Sequence, residues 1–271
     1  MRFTRRNFVE KTLKILSIPT LIAAVPSSTI QGAEKKQSGY NEPLQVDELE
    51  VIKKLLAQKV PMKWVFVGDS ITHGAKHTYG YRSYPETFSE HIRYEMKRGR
   101  DVIVNMAISG NTSNDILSDY DWRIAQFTPH VVFIMIGTND ADVKRNISLE
   151  KFKLNILELV DKIRNSGSIP VLQTPNITIE EKAIGRERLK YYVQVIREVS
   201  KEKGTILVDH WAYWSEMAGV EPNVVNAQWL MDELHPNGRG HDEMARLLFK
   251  QLSIFDPTQF TGKDHWSSIN Q

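Results

Sequence analysis

Short apolar, β-branched runs recur along the chain at 64–67, 102–106, 131–136, 169–172 and 206–208. They are nearly continuous rather than alternating with polar positions, as expected of strands covered on both faces. Between them the apolar positions fall at helical spacing and predict helices over 84–97, 113–125, 149–165, 187–203 and 239–251. Ser83, with Pro85 and Glu86 behind it, carries the residues of a capping box that would open the first of these. Strands alternating with helices imply an α/β fold: a three-layer α/β/α sandwich around a five-stranded parallel sheet.

The ends of the chain depart from this pattern. Thr4-Arg5-Arg6-Asn7-Phe8-Val9 resembles a twin-arginine export motif, and the apolar stretch behind it, 13–25, is interrupted by proline. Such a stretch is too short and broken to span a bilayer, so it reads as a signal peptide and no stable membrane anchor is expected. Cleavage after Gln31-Gly32-Ala33 would deliver a periplasmic or secreted protein, with the export machinery as partner of the leader. The expected organisation is a signal peptide over 1–33, a polar segment and leading helix over 34–60, a catalytic domain over 61–256 and a tail over 257–271.

Charge changes with that division. The leader holds Arg2, Arg5, Arg6, Lys11 and Lys14 against Glu10, so the formal +2 of the whole chain becomes −2 once it is removed. The basicity belongs to the leader, and no basic patch argues for nucleic acid as a partner. With no cysteine in the sequence, a disulfide framework, a thiolate metal site and a lipidated cysteine are all excluded.

Four separated blocks carry the chemistry: Gly68-Asp69-Ser70, Ile108-Ser109-Gly110-Asn111, Gly137-Thr138-Asn139-Asp140 and Asp232-Glu233-Leu234-His235. A serine hydroxyl becomes a nucleophile when a histidine takes its proton, and the histidine needs a carboxylate to fix its tautomer. Ser70, His235 and Asp232 supply those groups. The oxyanion formed on attack needs preorganised N–H donors, and the backbone amides of Ser70 and Gly110 with the side chain of Asn139 would provide three. Ser70, Gly110 and Asn139 each follow a predicted strand, at the sheet edge where α/β folds collect ligands.

On these blocks, in this order, the chain resembles the SGNH hydrolases, the superfamily of the GDSL esterases and lipases, and is most like bacterial exported carbohydrate acetylesterases. The resemblance runs from about Lys63 to Leu252 and implies the flavodoxin-like strand order 2-1-3-4-5. It supports Asp232 as the catalytic acid over Glu233, Asp209 and Asp242, which neighbour it or other histidines. No cofactor is expected, and no metal: a set built from Asp69, His73, Asn139 and His235 lacks the second cluster such sites need. His73 and His77 fall in the loop behind the nucleophile as cleft liners, whereas His130, His210 and His241 read as structural or exposed.

Asp69, Tyr79, Tyr81, Asn176 and Trp229 are the expected substrate-binding residues. The loops around 176–178 and 223–228 are polar and hold no long apolar lid, which favours a water-soluble ester over a triglyceride. The reading is therefore an exported serine esterase that removes short acyl groups, acetyl first among them, from a small-molecule or polysaccharide substrate. Two rivals remain: a lysophospholipase or thioesterase of the same superfamily, which would need an apolar trough, and a non-catalytic carbohydrate-binding protein.

Overall fold

In a computed structural model of the protein, residues 47–58, 60–220 and 225–255 are described. The expected signal peptide over 1–33, the polar segment ahead of residue 47 and the tail over 257–271 lie outside them, as do residues 223 and 224 of the polar loop. In chain order the elements are α1 (Glu48–Ala57), β1 (Lys63–Gly68), α2 (Ser70–His73), α3 (Tyr84–Glu90), β2 (Val102–Asn105), α4 (Ser113–Ser118), α5 (Tyr120–Arg123), β3 (Val131–Met135), α6 (Leu149–Asn165), β4 (Ile169–Thr174), α7 (Leu189–Lys203), β5 (Ile206–Asp209), α8 (His210–Val220) and α9 (Gly238–Gln251).

The five strands form one parallel sheet in the order β2-β1-β3-β4-β5, as the family resemblance implied. Register is set by paired apolar residues, with Phe66 opposite Phe133 and Gly68 opposite Met135. Alternate side chains serve opposite layers because strand residues point to either face in turn. Trp64, Phe66, Phe133 and Met135 pack with Ile52, Tyr84, Phe88, Trp214 and Phe249 from α1, α3, α8 and α9. Val65, Val67, Val132 and Ile134 pack with Ile116, Phe152, Leu159 and Ile196 from α4, α6 and α7. The first layer is aromatic: Phe66 stacks on Phe133 at 4.3 Å, and Phe88 meets both rings edge-on at 5.3 Å. Each such fully buried side chain is worth about 1.5–3 kcal/mol of burial free energy.

The capping box forms as expected, the Glu86 carboxylate accepting from the Ser83 amide and hydroxyl at 2.7 and 2.8 Å. Two helices differ from expectation. α3 does not run regularly to 97 but passes into a π turn over His91–Glu95. The predicted helix over 113–125 is broken into α4, α5 and a 3-10 turn at Ala125–Phe127. Here the Ser118 hydroxyl donates to the Asp115 carbonyl and Asp119 leaves helical geometry to hold Arg123, so local side-chain bonds displace the regular helix. α8 was not foreseen: its Trp211-Ala212-Tyr213-Trp214 run has no one-sided periodicity, and only His210 and Trp214, four residues apart, are buried.

Candidate active site

The position of Ser70 is built by the crowded end of β1. Gly68 closes the strand where a Cβ would lie 2.3 Å from the Met135 carbonyl oxygen and 2.6 Å from the Thr72 hydroxyl, so only glycine fits without a shift. Asp69 then caps α2 through Ile71 N–H at 3.0 Å, which places Ser70 on the first turn at the rim of the sheet. The block after β2 is bonded to this one, Ile108 N–H donating to the Gly68 carbonyl at 3.1 Å. Gly110 sits at φ +84°, a left-handed conformation that side chains resist. Past β3, Asn139 donates its side-chain amide to the Asn111 carbonyl at 2.9 Å and thereby joins the third block to the second. An amide has two N–H groups, so this bond orients the carboxamide without using up its donors.

Asp232 and His235 come from the loop ahead of α9. Met231 N–H donates to the His235 carbonyl at 2.8 Å and Leu230 bridges Pro236, closing a tight loop around Asp232. Asp232 Oδ1 accepts the Leu234 and His235 amides at 2.8 and 2.7 Å, and His235 Nδ1 lies 2.9 Å from Oδ2. Burial would raise the Asp232 carboxyl, but the amides of His235 and Leu234 and the His235 ring outweigh it and hold the acid below its ordinary range. With Nδ1–H donating to a carboxylate, Nε2 of His235 is left as the acceptor, and it lies 2.9 Å from Ser70 Oγ. Hydroxyl, imidazole and carboxylate thus form one continuous relay.

Residues 66–243 match the GDSL-like Lipase/Acylhydrolase family. The chain belongs to this family. It is accordingly a carboxylic ester hydrolase. The hydrolase is 26% identical over 209 residues to the acetylxylan esterase of Geobacillus stearothermophilus, a match covering 71% of this chain and 94% of that protein. It is also 29% identical over 181 residues to the uncharacterized lipoprotein YqeF of Bacillus subtilis (strain 168), over 57% of this chain and 73% of that one. Among solved structures, LAE5, an alpha/beta hydrolase enzyme from the metagenome of Lake Arreo, Spain, shares the fold with a TM-score of 0.62 at 24% identity, covering 73% of this chain and 99% of that chain.

Three of the residues expected to touch substrate are placed elsewhere. Asp69 and Asn176 are fully buried and Trp229 is 3% exposed, so none offers a surface to an incoming ester. Asp69 serves the cap of α2, and burial, with Asp140 nearby, pushes its carboxyl up to about 7 against the opposing Ile71 bond. Asn176 instead donates to the Leu234 carbonyl at 3.0 Å and holds the loop of Asp232 and His235 from the end of β4. Trp229 packs edge-on against Trp214 at 5.1 Å while its carbonyl accepts from Asn237 N–H. Tyr79 and Tyr81 are exposed, at 73% and 37%.

Two contributors were not singled out by sequence. Arg186 reaches Asn139 Oδ1 at 3.4 Å while paired with Asp142 at 2.7 Å, and Arg145 donates to the Gly110 carbonyl at 3.0 Å. Nothing in their local sequence signals either contact. The metal set weighed from sequence does not assemble. His73 is occupied with Ser109 at 3.0 Å, and among the described residues the group with ligand-type atoms within 4.8 Å of one another is His77, Asp232 and His235.

Proposed function

We propose that the hydrolase is an exported serine esterase that removes acetyl and other short acyl groups from carbohydrate through an acyl-enzyme on Ser70. The observation that carries the reaction is the 2.9 Å contact between Ser70 Oγ and Nε2 of His235. Ser70 Oγ attacks the ester carbonyl carbon as its proton passes to His235, whose imidazolium is stabilised by Asp232. The negative charge on the former carbonyl oxygen rests on the Ser70 and Gly110 amides and on Asn139. Collapse breaks the bond to the leaving alkoxide, which takes the proton from His235. Water then repeats the sequence on the acyl-enzyme, giving up its proton to His235, which returns one to Ser70 as the acid departs.

The carbohydrate part is supported by the likeness to an acetylxylan esterase and by Tyr79 and Tyr81, whose exposed rings near the nucleophile loop could stack on a sugar. Export is supported by the twin-arginine-like start of the sequence and by the likeness to a lipoprotein. No helix among the described residues is long and apolar enough to cross a membrane. We assign the leader to 1–33 and the catalytic domain to 61–256.

Acetate release from a panel of acetylated glycans tests the substrate class, and an acyl series tests the site. A trough for a long chain would gain about 0.8 kcal/mol per buried methylene, so kcat/KM would climb steeply with chain length. We expect 4-nitrophenyl acetate to exceed the butyrate and octanoate to be barely turned over. A preference for octanoate, with no acetate released from any glycan, replaces this reading with a lysophospholipase or thioesterase.

A further inference from the structure

The Asn139 carboxamide is met at both ends. Its Nδ2 donates to the Asn111 carbonyl at 2.9 Å, and its Oδ1 accepts from Arg186 Nη2 at 3.4 Å. The other arm of that guanidinium, Nη1, lies 2.7 Å from Asp142 Oδ2. Arg186 is delivered by the loop between β4 and α7. Its N–H donates to the Ala183 carbonyl and its carbonyl accepts from Leu189 N–H, each at 2.9 Å, behind a turn at Gly185 with φ +81°. Asp142 belongs to the same turn as Asn139, its N–H donating to the Asn139 carbonyl at 3.1 Å, so one guanidinium bridges two points of that turn.

We propose that Arg186, anchored by Asp142, is a positioning residue of this hydrolase that keeps the N–H side of the Asn139 carboxamide turned toward the ester. The proposal rests on Asn139 being an oxyanion donor. A carboxamide is two-ended, and half a turn about Cβ–Cγ exchanges its acceptor for its donors. In that rotated state the Asn139 NH2 would face the Nη2 donor of Arg186 and its oxygen would face the Asn111 carbonyl. A lone pair would then meet the negative charge that forms on the ester. The Asn111 contact opposes the rotation with a neutral hydrogen bond; Arg186 adds one from an ionised donor, the stronger kind at equal length. An oxyanion donor works by being aimed before the charge appears, so a group that fixes its aim acts on the transition state.

The surroundings of Arg186 suit this role. Burial would raise the Asp142 carboxyl, but the Lys144 amide and the Arg186 guanidinium outweigh it and hold the acid below its ordinary range, so the pair stays charged at neutral pH. At 13% exposure the Arg186 side chain has little surface to offer a substrate, and its effect passes through Asn139.

Arg186→Lys keeps a cation for Asp142 but has one nitrogen in place of the two that meet Asp142 and Asn139. We expect kcat on 4-nitrophenyl acetate to fall about tenfold with KM within about twofold, the low end for losing a hydrogen bond from a charged group. In an Asn139→Ala background the same change should alter kcat by less than about twofold, because the group through which Arg186 acts is gone. Methylboronic acid forms a tetrahedral adduct with a serine and places an oxygen where the oxyanion develops. It should bind Arg186→Lys about tenfold more weakly than wild type, in parallel with kcat.

Equal losses in the two backgrounds overturn the proposal, since Arg186 would then act by a route other than Asn139. Wild-type kcat in Arg186→Lys overturns it as well, and so does a raised KM at unchanged kcat, which would make Arg186 a substrate contact. The same cycle run with Arg186→Gln decides the matter should Arg186→Lys not fold. Wild-type kcat in Asn139→Ala alone is a distinguishable result: it removes the oxyanion role of Asn139, and this proposal falls with it.

Discussion

At the scale of single residues, the proposed catalytic set makes unequal demands on the fold. Ser70→Ala removes one oxygen from a half-buried position and leaves the capping contact of Asp69 to Ile71 intact. Ester turnover should fall by more than about 10³-fold with the melting temperature unchanged, since the loss of a triad member costs several orders of magnitude. Retention of a tenth of wild-type kcat would remove Ser70 from the reaction. Asn139→Ala should lower kcat by about 10²–10³ with little effect on KM, because its donor meets charge that exists only in the transition state. Steady-state kinetics would show this, and an unchanged kcat would reduce Asn139 to the tie it makes with Asn111. The four blocks could be read directly because each pairs a reactive residue with the turn chemistry that exposes it. Burial could not be read in that way. Asp69 and Trp229 look from sequence like polar and aromatic surface, yet one faces the interior to cap α2 and the other packs on Trp214. His77 was visible only as one of two histidines behind Ser70; His235, on whose ring it stacks, is more than 150 residues away and met only on folding.

At the scale of elements, the strands were legible because their apolar runs are short and bounded by polar residues; β1, β3 and β4 are buried on both faces as expected, whereas the edge strands β2 and β5 are only partly covered. Ile169–Thr174 extends past the predicted end because Gln173 and Thr174, polar by type, are buried and satisfied by His210 and Asp209. α6 was equally plain, with Phe152, Ile156, Leu159, Val160 and Ile163 at helical spacing. α8 and the break after Ser118 were not, since tertiary packing and local side-chain bonds decided them. The most exacting junction is β1 to α2. Gly68→Ala would press a methyl group onto the Met135 carbonyl and Thr72, and the strand or the nucleophile turn must move to relieve it. Overpacking of this kind costs about 1–3 kcal/mol. We expect a lowered denaturant midpoint together with a loss of kcat beyond what the stability change explains. A variant with wild-type midpoint and rate would mean that the junction yields freely.

At the scale of the whole molecule, four buried ionisable groups oppose one another. Burial pushes His210 and His241 down to about 3 and pushes Asp69 and Asp140 up to about 7 and about 6. Between pH 4 and 6 the unfolded chain holds more protons on the two histidines, whereas the native chain holds more on the two aspartates. Stability follows the difference in bound protons, so these contributions cancel in that window. Removing one member exposes the other side. Relative to wild type, Asp69→Asn should lose about 1.4 kcal/mol of unfolding free energy per pH unit on going from pH 6 to 4. His210→Asn should change in the opposite sense, gaining on acidification. Urea titrations across the window would measure both, and parallel curves for the two variants would refute the compensation.

The loop that carries Asp232 and His235 has a consequence of its own. Its ends are pinned by Met231 to His235 and by Asn237 to Trp229, and its outer side is held by Asn176 and by Ile179 N–H on the Glu233 carbonyl. Asp232 and His235 therefore travel as one piece, and their mutual alignment survives any shift that leaves this loop intact. The gap between that piece and Ser70 on α2 is therefore a coordinate separate from the alignment within it. In such a shift the proton transfer proposed between Ser70 and His235 would change while the aspartate–histidine pair stayed intact.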